Sequence, residues 1–253
     1  MRFLLATTGF GAIAAATMAF PAQAETVIST AVTTPQTTSA SGDIRISSAG
    51  SVKPASGTAV TMNTSNFVKN EGTIQITGAN NSAGIVANAG LAGDIVNTGT
   101  ITIDEAFTPT DGDNDGDLDG LFAQGTGRFG IHVLGAHTGA VTNSGKITVE
   151  GNQSGGIVLE GSLTGTLSNS NDITILGNDS VGIETDDVSG DVILSKGTIQ
   201  VQGANGVGVA VNGDIGGKFV FQGTVQTTGY RYTNPPADVS KLDADDLLQG
   251  GSA

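Results

Sequence analysis

The sequence contains no cysteine and no tryptophan, and only 4% of its 253 residues are aromatic. The absence of cysteine excludes a disulfide framework, a thiol nucleophile and a zinc site with cysteine ligands. Two histidines are too few for a three-histidine metal site. Only ten basic residues stand against 24 acidic ones, which gives a formal net charge of −14. This charge excludes the basic footprint that binds nucleic acid.

Glycine is the residue in greatest excess, with 39 copies, roughly twice its ordinary share. The chain does not have the composition of a disordered protein, because 38% of its residues are hydrophobic and valine and isoleucine recur regularly. We expect the glycines to permit backbone conformations that β-branched residues resist.

The first 24 residues have the pattern of a secretory signal peptide. Arg2 precedes an apolar stretch that extends to Phe20, and Ala22-Gln23-Ala24 is a small-x-small cleavage site. A membrane anchor is the alternative, but the apolar run is interrupted and is shorter than the roughly 20 residues that a span needs. The sequence therefore predicts export through the inner membrane, with cleavage after Ala24.

The rest of the chain is an internal repeat built on the motif Asn-x-Gly-x-Ile-x-Ile. The third position of the motif falls at 72, 99, 145, 171, 197 and 223, so successive copies are separated by 27, 46, 26, 26 and 26 residues. The separation of 46 is one period plus an insertion of about 20 residues. A second anchor, glycine followed by isoleucine or valine, comes 11 or 12 residues later in copies without an insertion.

Each unit holds three short segments with alternating apolar residues, joined by turns rich in glycine and asparagine. Such a small unit cannot bury its own apolar face, so the units must stack. The sequence predicts an all-β fold, a right-handed parallel β-helix with three faces, about 26 residues per coil and about seven coils. A propeller needs about 40 residues per blade, and a sandwich would not produce a constant period. We expect a Ser/Thr-rich lead over 25–41 and the β-helix over 42–253, with insertions at 105–127 and 230–250.

The alternation predicts which residues stack inward along each face. The inward rows are Ile74, Ile101, Ile147, Ile173, Ile199 and Val225; Ile76, Ile103, Val149, Ile175 and Val201; Ile85, Ile131, Ile157, Ile183 and Val209; and Val68, Ile95, Val141, Leu167, Ile193 and Phe219. Four asparagines also lie in line, namely Asn70, Asn97, Asn143 and Asn169. They form either a ladder of amide hydrogen bonds or turns with left-handed backbone.

The signal peptide, the absence of cysteine and the 26-residue β-helical repeat with its Asn-x-Gly-x-Ile-x-Ile motif resemble the passenger of a type V autotransporter of Gram-negative bacteria, most closely α-proteobacterial ones. The resemblance covers the chain from Glu25 onward. It implies a non-enzymatic structural or adhesive role at the cell surface, with surface glycans or other cells as partners. It also implies that this chain is the N-terminal part of a longer protein, whose C-terminal outer-membrane β-barrel would be a further partner.

The insertion at 105–127 contains a run of alternating aspartates that resembles an EF-hand calcium loop. The candidate ligands are Asp111, Asp113, Asp115, Asp117 and Asp119. The twelfth loop position is Phe122, where a bidentate glutamate belongs, so we expect weak Ca²⁺ binding. The alternative is a solvated acidic loop without a fixed metal.

A polysaccharide lyase or hydrolase is the alternative function, because β-helices host such enzymes. Glu160 and Asp186 are 26 residues apart, so one coil would bring their carboxylates within about 5 Å. His132 is predicted to face outward, because it lies between inward Ile131 and Val133. No serine or aspartate partner for the histidines is recognisable, and the Gly-Asp-Ser-Gly motif is absent from the sequence, so a non-enzymatic role is favoured.

Overall fold

The computed structural model describes residues 24–112, 118, 120–229 and 240. The described chain is nearly all β, with parallel sheets stacked as a β-solenoid of about seven turns that lie about 26 residues apart. The described part contains a single short α-helix, α1 (Thr38–Ser41). No helix among the described residues is long and apolar enough to cross a membrane. The predicted β-helix is confirmed.

Three long sheets form the main faces of the solenoid, and strands are numbered along the chain. The first sheet contains β1 (Thr26–Ile28), β4 (Ile44–Ile46), β7 (Val68–Asn70), β11 (Ile95–Asn97), β15 (Val141–Asn143), β19 (Leu167–Asn169), β22 (Val192–Leu194) and β25 (Phe219–Phe221). The second contains β2 (Ala31–Val32), β5 (Ser51–Val52), β8 (Thr73–Thr77), β12 (Thr100–Asp104), β16 (Lys146–Glu150), β20 (Ile173–Leu176), β23 (Thr198–Gln202) and β26 (Thr224–Thr228). The third contains β3 (Gln36–Thr37), β6 (Thr58–Met62), β9 (Ser82–Ala87), β13 (Arg128–Val133), β17 (Gly155–Leu159), β21 (Val181–Thr185) and β24 (Val207–Val211).

A fourth, narrow face joins the third sheet to the first, which the repeat motif did not reveal. It contains β10 (Leu91–Ala92), β14 (His137–Thr138) and β18 (Leu163–Thr164), and the bridges of Val188 continue it for two more coils. Two residues per strand are too few to produce a recognisable alternation in the sequence. His137 is buried in this face, and its Nε2 atom lies 2.8 Å from the carbonyl oxygen of Gly93.

The solenoid also begins earlier in the chain than the repeat motif indicates. Residues of the Ser/Thr-rich lead already form β1, β2 and β3, and Thr26 pairs with Ile44 only 18 residues later. This first coil is shorter than the others and lacks the Asn-x-Gly motif, which explains why the period does not extend to it.

The register across the insertion is the one that the repeat predicts. Ile101 pairs directly with Ile147 although 46 residues separate them. The insertion leaves the solenoid between β12 and β13, which is the predicted slot. The second predicted insertion, 230–250, lies outside the described residues except for Ser240.

Except for Ile193 and Phe219, the residues of the predicted inward rows form one continuous hydrophobic core. One assignment is wrong: Val192, not Ile193, pairs with Leu167 and is buried, whereas Ile193 pairs with outward-facing Ser168. The coil between Leu167 and Val192 is one residue shorter than the period, and a one-residue slip reverses every side chain of a strand. At the last described coil, Phe219 is 50% exposed.

The four aligned asparagines form a buried hydrogen-bonded ladder, which settles the alternative left open by the sequence. The Nδ2 groups of Asn70, Asn97 and Asn143 each donate to the Oδ1 atom of the next asparagine at 2.8, 2.7 and 2.7 Å. The side chains are at most 1% exposed. The ladder ends where Ile46 and Leu194 occupy the equivalent positions.

The glycine of the second anchor is required by space rather than by backbone conformation. Gly130 is absent from the described residues with positive φ. A Cβ atom added there would lie 2.6 Å from the carbonyl oxygen of Gly156 and 2.6 Å from Cγ2 of Ile147. Glycine therefore lets the third sheet approach the second sheet closely at this corner.

Candidate functional site

A groove of about 510 Å³ lies on the outer face of the third sheet. Its floor is apolar and comprises Phe129, Val158 and Val181, and its rim carries the carboxylates of Glu160, Asp179, Glu184 and Asp186. Strands β13, β17 and β21 pair in register, so the groove crosses three successive coils. The groove is an elongated surface feature rather than an enclosed cavity.

The local sequence of β13 places an aromatic pair beside this groove. Gly130 and Ile131 both face inward, which leaves Phe129 and His132 on the outer face. Their rings are stacked, with centroids 4.1 Å apart and an interplanar angle of 26°. The outward direction predicted for His132 is confirmed.

His132 has a carboxylate partner on the next coil. Its Nε2 atom lies 2.7 Å from Oε1 of Glu160, and the side chains are 12% and 52% exposed. Glu160 directly follows β17, where its N–H donates to the carbonyl oxygen of Val133 at 2.9 Å. The carboxylate therefore fixes the imidazole orientation, and together the two groups can donate and accept protons.

Glu160 and Asp186, the carboxylates that the repeat spacing brought together, both line the groove. The partnership between His132 and Glu160 was not found from the sequence. The two residues are 28 positions apart, which is one period plus two, so a search at the exact period misses it. A search at the period plus or minus two residues would have found it.

Two carboxylates of the groove accept hydrogen bonds from asparagines of the next coil. Asn212 donates from Nδ2 to Oε1 of Glu184 at 2.8 Å, and Asn205 donates to Oδ1 of Asp179 at 2.9 Å. No lysine or arginine is among the described residues that line the groove. The groove thus presents carboxylate acceptors, which bind hydroxyl and cationic donors.

A second polar cluster lies where the two ends of the insertion meet the solenoid, and we call this region the neck. Its residues, centred on Glu105 and Arg128, are joined by hydrogen bonds and an ion pair. Arg128, 1% exposed, donates to Oε2 of Glu105 at 2.8 Å and to the carbonyl oxygen of Ala79 at 2.9 Å. Glu105 also accepts hydrogen bonds from the N–H groups of Gln124 at 2.8 Å and Gly125 at 2.7 Å. The two ends of the insertion are therefore joined by one buried ion pair and its hydrogen bonds.

The carboxyl of Glu105 is held in its charged form by these contacts. Burial would raise its pKa, but the N–H donors of Gln124 and Gly125 and the guanidinium of Arg128 outweigh burial and lower it. The charged pair is therefore the form that closes the neck.

Of the five candidate calcium ligands, the structure describes Asp111, which is half-buried. Asp113, Asp115, Asp117 and Asp119 lie outside the described residues. Within the described ranges no group of three or more His, Cys, Asp or Glu side chains is placed to hold a metal ion. Phe122, at the twelfth loop position, is 2% exposed and packs into the protein.

Comparisons with known proteins give no relative for this chain. No protein family model matches it, and no curated protein and no solved structure is significantly similar. The solenoid, its groove and the insertion are therefore the observations from which a function can be proposed.

Proposed function

We propose that the chain is an exported β-solenoid with a structural and adhesive role at the cell surface, similar to an autotransporter passenger. The observation that carries this proposal is the unbroken stack of coils from Thr26 to Thr228 with a groove along its outer face. Eight rungs spaced by about 4.8 Å extend over about 34 Å. An extended surface of this kind suits contact with an elongated ligand.

Surface glycans are the ligand class that the groove supports best. The ring of Phe129 and the side chains of Val158 and Val181 provide an apolar floor for the C–H face of a sugar. The carboxylates of Glu160 and Glu184 at the rim can accept hydrogen bonds from sugar hydroxyl groups, and such charge-assisted bonds are strong. The groove crosses several coils, so it can contact consecutive sugar units.

A glycan array with the purified full chain, together with adhesion to cells, tests this role. We expect Phe129→Ala and Glu184→Ala each to weaken binding at least tenfold, because each removes a contact at the floor or the rim. Gln200→Ala, on the outer face of the second sheet, is the matched control and should bind as the wild type does. Equal binding by all three variants would show that the groove is not the binding surface.

A polysaccharide-degrading enzyme is the second candidate, and the contact between His132 and Glu160 favours it. A histidine 2.7 Å from a carboxylate, beside two further carboxylates, has the components of general acid–base catalysis. A reducing-end assay on a panel of polysaccharides distinguishes the two functions. Turnover that Glu160→Gln abolishes would favour the enzyme, whereas binding without turnover supports the adhesive role.

The sequence of the insertion further leads us to propose weak Ca²⁺ binding by Asp111, Asp113, Asp115, Asp117 and Asp119. Five nearby carboxylates repel one another unless a cation neutralises them. Millimolar CaCl₂ should therefore raise the melting temperature, and the double variant Asp113→Asn/Asp115→Asn should lose this increase. An equal increase in the double variant would assign the calcium effect to another part of the protein.

A further inference from the structure

Two carboxylates lie side by side where the insertion leaves the solenoid. Asp104 ends β12 and Glu150 ends β16. They directly follow the paired residues Ile103 and Val149, whose side chains face inward. Because side chains alternate along a strand, both carboxylates face outward, on backbones that are about 4.8 Å apart.

The surroundings of this pair leave one carboxylate oxygen without a partner. Among the described residues, the Oδ1 atom of Asp104 is buried and accepts no hydrogen bond. Glu150 is half-buried, and its Oε2 atom lies 3.4 Å from the backbone nitrogen of Glu105, the first residue of the insertion. A buried acceptor without a donor is costly, and two adjacent charged carboxylates repel each other.

The nearby cation does not resolve this conflict. Arg128 donates to the side chain of Glu105, to the carbonyl oxygen of Ala79 and to the carbonyl oxygen of Glu150. Its guanidinium is therefore already bonded to groups other than the Asp104 carboxylate. The residues that pair with Asp104 and Glu150 on the flanking strands are neutral, namely Thr77 and Leu176.

The charged groups that act on Glu150 are Asp104, Glu105 and Arg128. Burial raises the pKa of Glu150 most strongly, and the negative charges of Asp104 and Glu105 raise it further. The hydrogen bond from the Glu105 N–H group and the charge of Arg128 act in the opposite direction but do not cancel these effects. The pKa of Glu150 is therefore raised above its ordinary value, which favours the protonated carboxyl.

We propose that the Glu150 carboxyl donates a hydrogen bond to the Oδ1 atom of Asp104, and that this bond is a latch, strengthened in acid, that holds the start of the insertion against the solenoid. The protonated Glu150 donates to the buried Oδ1 atom of Asp104, which satisfies that acceptor. Loss of the proton places two like charges beside Glu105, where the insertion begins. The contacts of Glu105 with Arg128, Gln124 and Gly125 then close the neck without this bond.

The direction of the pH dependence follows from the raised pKa of Glu150. Stability contributed by such a group is fully present below its unfolded-state pKa and is lost as the pH rises through the folded-state pKa. The latch therefore holds the insertion most firmly in acid and weakens toward neutral pH. The ion pair has the opposite dependence, because the pKa of Glu105 is lowered.

Thermal unfolding of the full chain from pH 4 to pH 8 tests the latch in the Glu150→Gln variant. The Gln amide donates to Asp104 at every pH, so the variant should melt about 2–4 °C above the wild type at pH 7.5. This difference should vanish at pH 4, where the wild type carries the proton. Glu184→Gln, on the third sheet, is the matched control and should show no such pH-dependent gain.

The hydrogen-exchange rate of the Glu105 backbone amide is a local measurement, because a general change in stability would alter exchange at distant amides as well. Exchange at this amide should be slower in Glu150→Gln than in the wild type at pH 7.5, with no difference at Asn143. Asp104→Asn removes the same repulsion, so the double variant should gain no more than either single variant. Additive gains, or a gain that is equal at pH 4 and pH 7.5, would overturn the proposal.

Discussion

Replacing Asn143 by alanine should destabilise the protein far more than its size suggests. Asn143 is completely buried, accepts a hydrogen bond from Asn97 and donates one to Asn169, both at 2.7 Å. The substitution leaves the buried Nδ2 group of Asn97 without its acceptor and the buried Oδ1 atom of Asn169 without its donor. Each unsatisfied buried group costs about 1–3 kcal/mol, so the expected loss is about 2–6 kcal/mol.

Urea denaturation followed by circular dichroism measures this loss, and hydrogen exchange locates it. A solenoid can unfold coil by coil, so we expect lost protection to be centred on β11, β15 and β19. Thr142→Ala changes the neighbouring outward-facing residue and should cost less than about 1 kcal/mol. A loss for Asn143→Ala no larger than that of Thr142→Ala would refute the stabilising role of the ladder.

Two further substitutions follow from the packing at the third sheet and at the neck. Gly130→Ala should destabilise the protein by several kcal/mol in thermal unfolding, because the new Cβ atom would lie 2.6 Å from the carbonyl oxygen of Gly156. Gly57→Ala is the control, since no atom lies within 4 Å of that position although its φ is +75°. This control should lower the stability by only about 1 kcal/mol. Glu105→Gln should cost about 3–5 kcal/mol at pH 7, since it leaves Arg128 buried without its partner. Because the pKa of Glu105 is lowered, this cost should shrink as the pH falls below the ordinary glutamate value, and a pH-independent cost in urea titrations would contradict it.

Much of the fold follows from the sequence because each coil repeats the same physical problem. A constant period fixes the register, and alternation then assigns the inward rows and the line of asparagines. Ile193 was assigned wrongly because one coil is a residue shorter, and a period measured on other coils cannot reveal a local deletion. The fourth face was not predictable from the sequence, because its strands are only two residues long.

The candidate groove was less predictable than the core. The repeat correctly placed His132 outside and put Glu160 and Asp186 on adjacent coils. The contact of His132 with Glu160 depends on side chains that reach diagonally across coils, and the buried pair of Arg128 and Glu105 closes an irregular insertion. Such contacts depend on local geometry rather than on period, so they became visible only in the structure.

Distances between spin labels along one outer row test the continuous stack most directly. The chain has no cysteine, so labels can be placed on cysteines introduced at Gln75 paired with Thr174, Gln200 or Gln226. These outward residues belong to one in-register row of the second sheet. With about 4.8 Å per coil, the backbone separations should increase in equal steps, from about 14 to 19 to 24 Å. Each pair spans the insertion. Distances that do not increase in equal steps, or that are all well above these values, would therefore contradict a continuous β-solenoid.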